Sequence, residues 1–293
     1  MTRALGSITA SSMSEERPAL PLAGKVAVVT GGSRGVGRGI ALGLGDAGAT
    51  VYVTGRTVDE GAAPLPGTIG GTAAEVTRRG GRGVAIRCDH RDDAAVEAVF
   101  HAVRAREGRL DVLVNNVFAL PDAMAFNVPF WEQPLSLWDE MHSVGLRSHY
   151  VASVFAAPIM IAQGSGLIVN VSSIGGAGYA INVAYGVGKA GVDRLAADMA
   201  HELKDRGVAA VSLWPGIVKT ERILALAKVM EMPFDVSRGE SPELSGRAVV
   251  ALAADPDVMA KTGQVLVVAE LAEEYGFTDV DGSRPRSLRR PKG

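Results

Sequence analysis

The stretch KVAVVTGGSRGVGRGIALGLGDAGATVYVT, Lys25–Thr54, decides the fold. VAVV is a β-branched run without polar alternation, so it reads as a strand buried on both faces. Glycines follow, then Ile40 and Leu44 at helical spacing, then TVYVT as a second strand. Strand, helix and strand in this order make one βαβ unit.

The rhythm continues in the C-terminal direction. Strands are expected at 25–30, 50–54, 83–87, 110–115, 167–172, 208–213 and 264–268. Helices are expected at 72–80, 92–107, about 137–163, about 184–204 and 243–255. This alternation implies an α/β, Rossmann-like doubly wound parallel sheet of about seven strands, with helices on both faces. One domain should span residues 23–275, after a flexible leader (1–22, with Met13 a candidate true start) and before a basic tail (276–293). The tail's GSRPRSLRRPKG carries cations and no acid, and reads as a solvated, disordered end. Two long connections, 116–136 and 215–242, leave the edge where such sheets bind ligands, and read as substrate loops.

Composition narrows the function classes. The net charge of −2 gives no pull towards nucleic acid or anionic lipid. The single cysteine, Cys88, excludes an internal disulfide and a CxxC metal site, and fits a reducing, cytoplasmic setting. No run of 18 apolar residues occurs, so no membrane span is expected. His142 and His149 lie seven apart without an evident third ligand, so no metal is expected.

The glycine turn TGGSRGVG, Thr30–Gly37, closes the first strand and opens the first helix. Its glycines let the backbone approach a pyrophosphate, and the helix N-terminus offers free N–H groups. Gly31, Ser33, Arg34, Gly35, Val36 and Gly37 are the cofactor residues expected from it. The second strand ends in Thr54, where a carboxylate would select NAD through the ribose 2′-hydroxyl. Arg56 and Arg34 lie nearby instead, which favours the 2′-phosphate of NADP(H). Asp89 would meet the adenine amino group or cap the next helix. Asn115 would bridge strands and cofactor, or serve a turn.

AYGVGKAG, Ala184–Gly191, places Tyr185 and Lys189 on one helix face. A phenol with a reference pKa near 10 is a poor base at neutral pH, and a neighbouring ammonium lowers that value. Such a tyrosine can exchange a proton with a carbonyl or hydroxyl while a nicotinamide exchanges hydride. Ser172 and Ser173 end the fifth strand, where a hydroxyl could bind the same oxygen. Gly186 and Gly188 would permit close backbone approach to that helix.

In order and spacing, TGGSRGVG, CD (Cys88–Asp89), NN (Asn115–Asn116), NVSS (Asn170–Ser173), YGVGK and PGIVKT resemble the classical branch of the short-chain dehydrogenase/reductase family. FWEQPLSLWDEMHSVGLRSHY and VAYGVGKAGVDRLAADMAHEL mark a particular subgroup within it. The resemblance implies Tyr185 as catalytic acid/base, Lys189 on the nicotinamide ribose and Ser173 on the substrate oxygen. The serine–tyrosine spacing is one residue short of the family's, so Ser172 stays open. Pro215, Gly216, Ile217 and Thr220 would hold the nicotinamide end.

Two positions depart from the family pattern. The family's NNAG is NNVF here, which brings Val117 and Phe118 near the cofactor. The family's helix asparagine, whose kink holds a relay water, is Gly145 here. Glycine keeps a carbonyl and permits a kink.

The expected activity is NADP(H)-dependent interconversion of a carbonyl and a secondary alcohol by a homodimer or homotetramer. A cofactor-binding regulatory protein of the same fold with little turnover is the alternative. Phe118, Met124, Phe126, Phe130 and Trp131 on the first loop, with Met230, Met232 and Phe234 on the second, would suit a lipophilic substrate or simply fasten the loops.

Overall fold

A computed structural model describes residues 20–119, 128–232 and 234–289. Most of the expected leader, the end of the tail, and Met13, Met124 and Phe126 lie outside the described residues.

Seven strands form one parallel sheet: β1 Val26–Thr30, β2 Thr50–Gly55, β3 Arg82–Arg87, β4 Val112–Asn115, β5 Gly166–Val171, β6 Val208–Trp214 and β7 Val265–Val267. Their order is β3-β2-β1-β4-β5-β6-β7. The order reverses between β1 and β4, which opens a crevice beyond their carboxyl ends. Alternate residues of β1 explain the apolar run: Ala27 and Val29 join one core cluster, Val26 and Val28 the other. Both faces are covered, so neither residue set tolerates polarity.

The first core face is covered by α1 Gly35–Asp46, α2 Ile69–Arg78 and α8 Pro242–Ala254. Helices α1 and α8 cross so closely that a Cβ on Gly43 would stand 2.9 Å from the carbonyl carbon of Gly246. The second face is covered by α3 Asp93–Glu107, α5 Ser148–Gln163 and α6 Val183–Leu203. Helix α4 Leu135–His142 runs into α5 through a π-helical segment, Ser143–Arg147, and Gly145 lies inside it. A π turn inserts a residue into the helical ladder, and it lies at Gly145, the position where the sequence permits a kink.

The joined helix Leu135–Gln163 has the length and apolarity of a membrane span (mean hydropathy 1.3), which the sequence reading did not anticipate. Over half of its apolar window, 56%, is buried inside the protein. That burial is the signature of a core helix.

Two short helices fall where none was expected. Helix α7, Glu221–Leu226, lies inside the second long connection. Helix α9, Val268–Tyr275, starts at a residue expected to end β7. The basic tail is also docked as far as residue 289, not free. The Asp279 carboxylate accepts from the Ser241 N–H at 2.7 Å. The Ser287 hydroxyl donates to Glu270 at 2.6 Å, and the Arg289 guanidinium lies 5.1 Å from the Trp214 ring centre. A cation over an aromatic face gives that segment a reason to order.

Candidate active site

The ends of β1, β4, β5 and β6 meet at one edge of the sheet, and the unusual residues gather there. At the glycine turn, Gly31 and Gly35 have φ of +67° and +57°, which side chains rarely adopt. A Cβ on Gly37 would collide with Asn116 Nδ2 and the Gly31 carbonyl. Asn116 Nδ2 donates to the carbonyls of Thr30 (2.9 Å) and Gly31 (3.1 Å), and so clamps the turn. The turn is a backbone cradle opening onto the α1 N-terminus, and it suits an anionic group such as a pyrophosphate. In this structure the Gly35 N–H donates to Glu221 Oε2 at 2.8 Å. That carboxylate stands where a phosphate oxygen would be received.

The other turn residues divide. Ser33 is buried, and a Cβ on the overlying Gly67 would stand 2.5 Å from its carbonyl oxygen. Val36 packs against the core. Arg34 donates to the carbonyls of Pro66 (3.0 Å) and Gly67 (2.9 Å) and to the Thr57 hydroxyl (3.3 Å). Its guanidinium therefore pins the segment after β2 beside the turn. Arg56 has 60% of its side chain exposed and stands 4.0 Å from the Asp89 carboxylate.

Thr54 is wholly buried and bonded to His90 at 2.8 Å, so no carboxylate occupies the position that would select NAD. Asp92 caps α3 by accepting from Ala94 N–H (3.0 Å) and Ala95 N–H (3.3 Å), which leaves Asp89 at the rim. Asn115 is fully buried and donates to Ser153 Oγ and Asn170 Oδ1, both at 3.0 Å. Its side chain thus bridges β4, β5 and α5 and does not line the crevice; Asn116 is the residue that reaches the turn.

At the opposite side of the crevice, Ser173 Oγ and Tyr185 OH are 2.8 Å apart. Ser172 points inward, donating to the Lys189 carbonyl at 3.1 Å. The pair left open by the sequence is therefore divided: Ser173 faces the phenol. Asn182 caps α6 by accepting from the Tyr185 N–H at 2.8 Å, which fixes the start of the helix at the tyrosine. The preceding Ile181 has φ of +65°, a strained conformation for a β-branched residue. Gly188 and Gly191 let α6 approach the joined helix: added Cβ atoms would stand 3.1 Å from His142 and 2.9 Å from Leu146. At Gly186 a Cβ would make only an ordinary 3.5 Å contact, so that glycine is not needed for packing.

Lys189 is buried, and its ammonium donates to the Val171 carbonyl at 3.1 Å. Burial pushes its pKa down to about 8, while the Asp193 carboxylate one turn later works the other way. Asp193 also accepts from Ser212 Oγ (2.6 Å) and Trp214 Nε1 (2.9 Å), tying α6 to β6. Burial pushes the Tyr185 phenol up from its ordinary value, and the Ser173 hydrogen bond works against that. The lysine was expected to lower the phenol; in this geometry burial outweighs any such influence.

The second long connection forms the remaining wall. Gly216 N–H donates to Glu240 Oε1 at 2.9 Å, and Ile217 accepts from the Glu240 N–H at 2.8 Å. Glu240 is buried, and burial pushes its carboxyl up to about 7. Pro215 is buried at the end of β6, and the Thr220 hydroxyl caps α7 by accepting from Ile223 N–H at 3.3 Å. Of the loop aromatics, Phe118 packs against Tyr185, whereas Phe130 and Trp131 are exposed and touch one another edge to face.

The sequence reading missed Asn116, Asp193, Glu221 and Glu240. Two of them carried a signal: Asn116 belongs to the NN motif, and Asp193 continues the i, i+4 series of Tyr185 and Lys189.

The short chain dehydrogenase family model matches residues 25–228. Dehydrogenase/reductase SDR family member 1 of Mus musculus is 50% identical over 274 residues, 89% of this chain and 85% of that protein. Among solved structures, a short chain dehydrogenase of Mycobacterium thermoresistibile superposes with a TM-score of 0.75 at 29% identity, covering 91% of this chain and 93% of that one. A metagenomic short-chain oxidoreductase in complex with NADP superposes with a TM-score of 0.68 at 31% identity, covering 84% of this chain and 97% of that one.

Proposed function

The chain belongs to the short chain dehydrogenase family, and from that premise we propose that it is an NADP(H)-dependent oxidoreductase interconverting a carbonyl and a secondary alcohol on a lipophilic small molecule. The observation that carries this reading is the Ser173–Tyr185 contact of 2.8 Å beside the buried Lys189. The glycine turn would hold the pyrophosphate of NADP(H), and the chemistry that group would supply is hydride transfer to or from the substrate carbon. Tyr185 gives its phenolic proton to the carbonyl oxygen, and Ser173 donates a hydrogen bond to that oxygen and orients it. Lys189, held by Val171, keeps a positive charge beside the phenolate as it forms and stabilises it. The raised phenol keeps its proton at neutral pH, which suits the reducing direction.

Several observations support the finer choices. A buried Thr54 in place of an acid, with Arg56 and Arg34 beside the turn, favours the 2′-phosphate. The half-buried Phe118 beside Tyr185 favours an apolar substrate. Tyr150, Val154 and Ile161 leave one face of α5 apolar and exposed. A groove of about 600 Å³ between α4–α5 and α6 carries Trp138, Leu146 and Leu195. A second copy covering that face would give the homodimer or homotetramer. We place the protein in the cytoplasm, where its one thiol, buried Cys88, stays reduced.

The test is a titration of the purified protein with NADPH and NADH by nicotinamide fluorescence, followed by absorbance at 340 nm with a panel of ketones, quinones and aldehydes. Oxidation of NADPH by a panel member, with NADH at least tenfold poorer, is the expected result. Tight NADPH binding without any oxidation would favour the binding-protein reading instead.

A further inference from the structure

Residue 145 has no side chain, and the ring of Phe118 fills the space one would take. A Cβ on Gly145 would stand 2.6 Å from Phe118 Cδ2 and 2.7 Å from Cε2, closer than real atoms pack. The ring's approach is fixed from the backbone. The Val117 N–H donates to Thr30 Oγ1 at 3.1 Å, and the Val117 carbonyl lies 3.1 Å from His149 Nε2. A carbonyl only accepts, so His149 is the Nε2–H tautomer, and its buried Nδ1 has no partner among the described residues. His149 therefore serves to hold this strand end, from which Phe118 projects into the gap at the π turn.

The same ring meets both members of the acid–base pair. It stands edge to face against Tyr185, with centres 5.9 Å apart at 88°. The Lys189 ammonium is 4.8 Å from its centre. That ammonium makes one hydrogen bond among the described residues, to Val171. An aromatic face carries partial negative charge and attracts a cation without taking its proton. Phe118 thus lies against the ammonium and against the phenol at once, and it can do so only because residue 145 is glycine.

We propose that Phe118 is a positioning residue for the acid–base pair: seated in the gap left by Gly145, its ring holds the Lys189 ammonium and the Tyr185 phenol in their working arrangement. The proposal rests on the reductase reading of the same site. Phe118 and Gly145 form one unit, so bulk added at one requires bulk removed at the other. The ring also keeps water from the phenol, which makes the phenol's titration a direct report of its seat.

Three measurements on the full chain test this. In the first, Gly145→Asn lowers Tm by several degrees, and adding Phe118→Ala to it restores at least half of the loss; additive losses would overturn the shared seat. In the second, Tyr185 is titrated by phenolate absorbance near 295 nm, as the difference from the matching Tyr185→Phe protein. Phe118→Ala admits water and lowers the midpoint by at least half a pH unit; an unmoved midpoint would overturn the contact with the phenol. In the third, Phe118→Leu keeps apolar bulk without an aromatic face. It lowers kcat at least fivefold with NADPH and an ortho-quinone probe and leaves the NADPH Kd within twofold; a parental kcat would overturn the role of the ring. If the parent protein binds NADPH but reduces no carbonyl, the reductase reading fails, and the first two measurements still decide the proposal.

Discussion

The Ser173 hydroxyl and the Tyr185 hydroxyl lie 2.8 Å apart, although one follows β5 and the other lies in the first turn of α6. Two hydroxyls at this distance can hydrogen-bond one carbonyl oxygen together, while a single one leaves it free to turn. Tyr185→Phe removes the transferable proton and should lower kcat for carbonyl reduction by at least a thousandfold. Ser173→Ala should lower it by ten- to a hundredfold, or roughly 1.4–2.7 kcal/mol of barrier. Ser172→Ala, which loses only the bond to the Lys189 carbonyl, should cost less than fivefold. Steady-state kinetics on all three proteins checks the order; a larger loss at Ser172 than at Ser173 would refute the assignment.

Arg56 is the residue that the proposed NADP(H) preference puts to the test. Its side chain is mostly exposed and its nearest carboxylate is 4.0 Å away, so it can turn to a 2′-phosphate at little cost. Arg34 is a poorer probe, because removing it also frees the carbonyls of Pro66 and Gly67. Arg56→Ala should weaken NADPH binding about tenfold, near 1.4 kcal/mol for one charge-assisted contact. NADH binding should stay within twofold. Equal weakening of both, read by nicotinamide fluorescence, would remove Arg56 from the phosphate site.

Glu221 holds the N–H that the glycine turn would offer to an anion. A dinucleotide bound there has to displace that carboxylate and then stands near its charge. Glu221→Gln keeps an oxygen acceptor but loses the charge, and should tighten NADPH binding three- to tenfold. The gain should shrink as salt is raised. Isothermal titration at two ionic strengths measures both; unchanged or weaker binding would mean that Glu221 swings clear without competing.

Strands were legible because their residues are apolar on both faces. Ala27 and Val29 serve one core while Val26 and Val28 serve the other, so no polar residue interrupts the run. Helix α9 was hidden for the same reason: Val268 extends the run of β7 by one residue before the chain turns helical. At the site, residue types were readable and their facing was not. Asn115 and Asn116 adjoin, as do Ser172 and Ser173, and in an extended chain neighbours point to opposite sides. Only packing shows that Asn115 and Ser172 turn inward. Glu221 and Glu240 act through backbone N–H groups far away in sequence, which no spacing rule reaches. The fit of Phe118 to Gly145 was visible as two departures from the family pattern, but their compensation appears only when the ring is in place.

Lys189 couples function to stability in a direction that pH can test. Burial, the leading cause, pushes its folded pKa down to about 8 from an ordinary value of 10.5. The unfolded chain therefore binds more protons between these values, and stability rises with pH across that window. Below about pH 8 the full cost of a buried ammonium is present, about 3 kcal/mol for a shift of this size. Lys189→Met removes the charge and keeps most of the volume, at the expense of the hydrogen bond to Val171, worth about 1 kcal/mol. The variant should thus be more stable than the parent by about 1–3 kcal/mol at pH 7. The advantage should fade towards pH 10, where the parent lysine is neutral in the fold, while carbonyl reduction is lost at every pH. Urea unfolding at pH 7, 8.5 and 10 reads the difference. A variant less stable than the parent at pH 7 would show that the ammonium's contacts with Val171 and Phe118 outweigh its burial, and would reverse the sign of this argument.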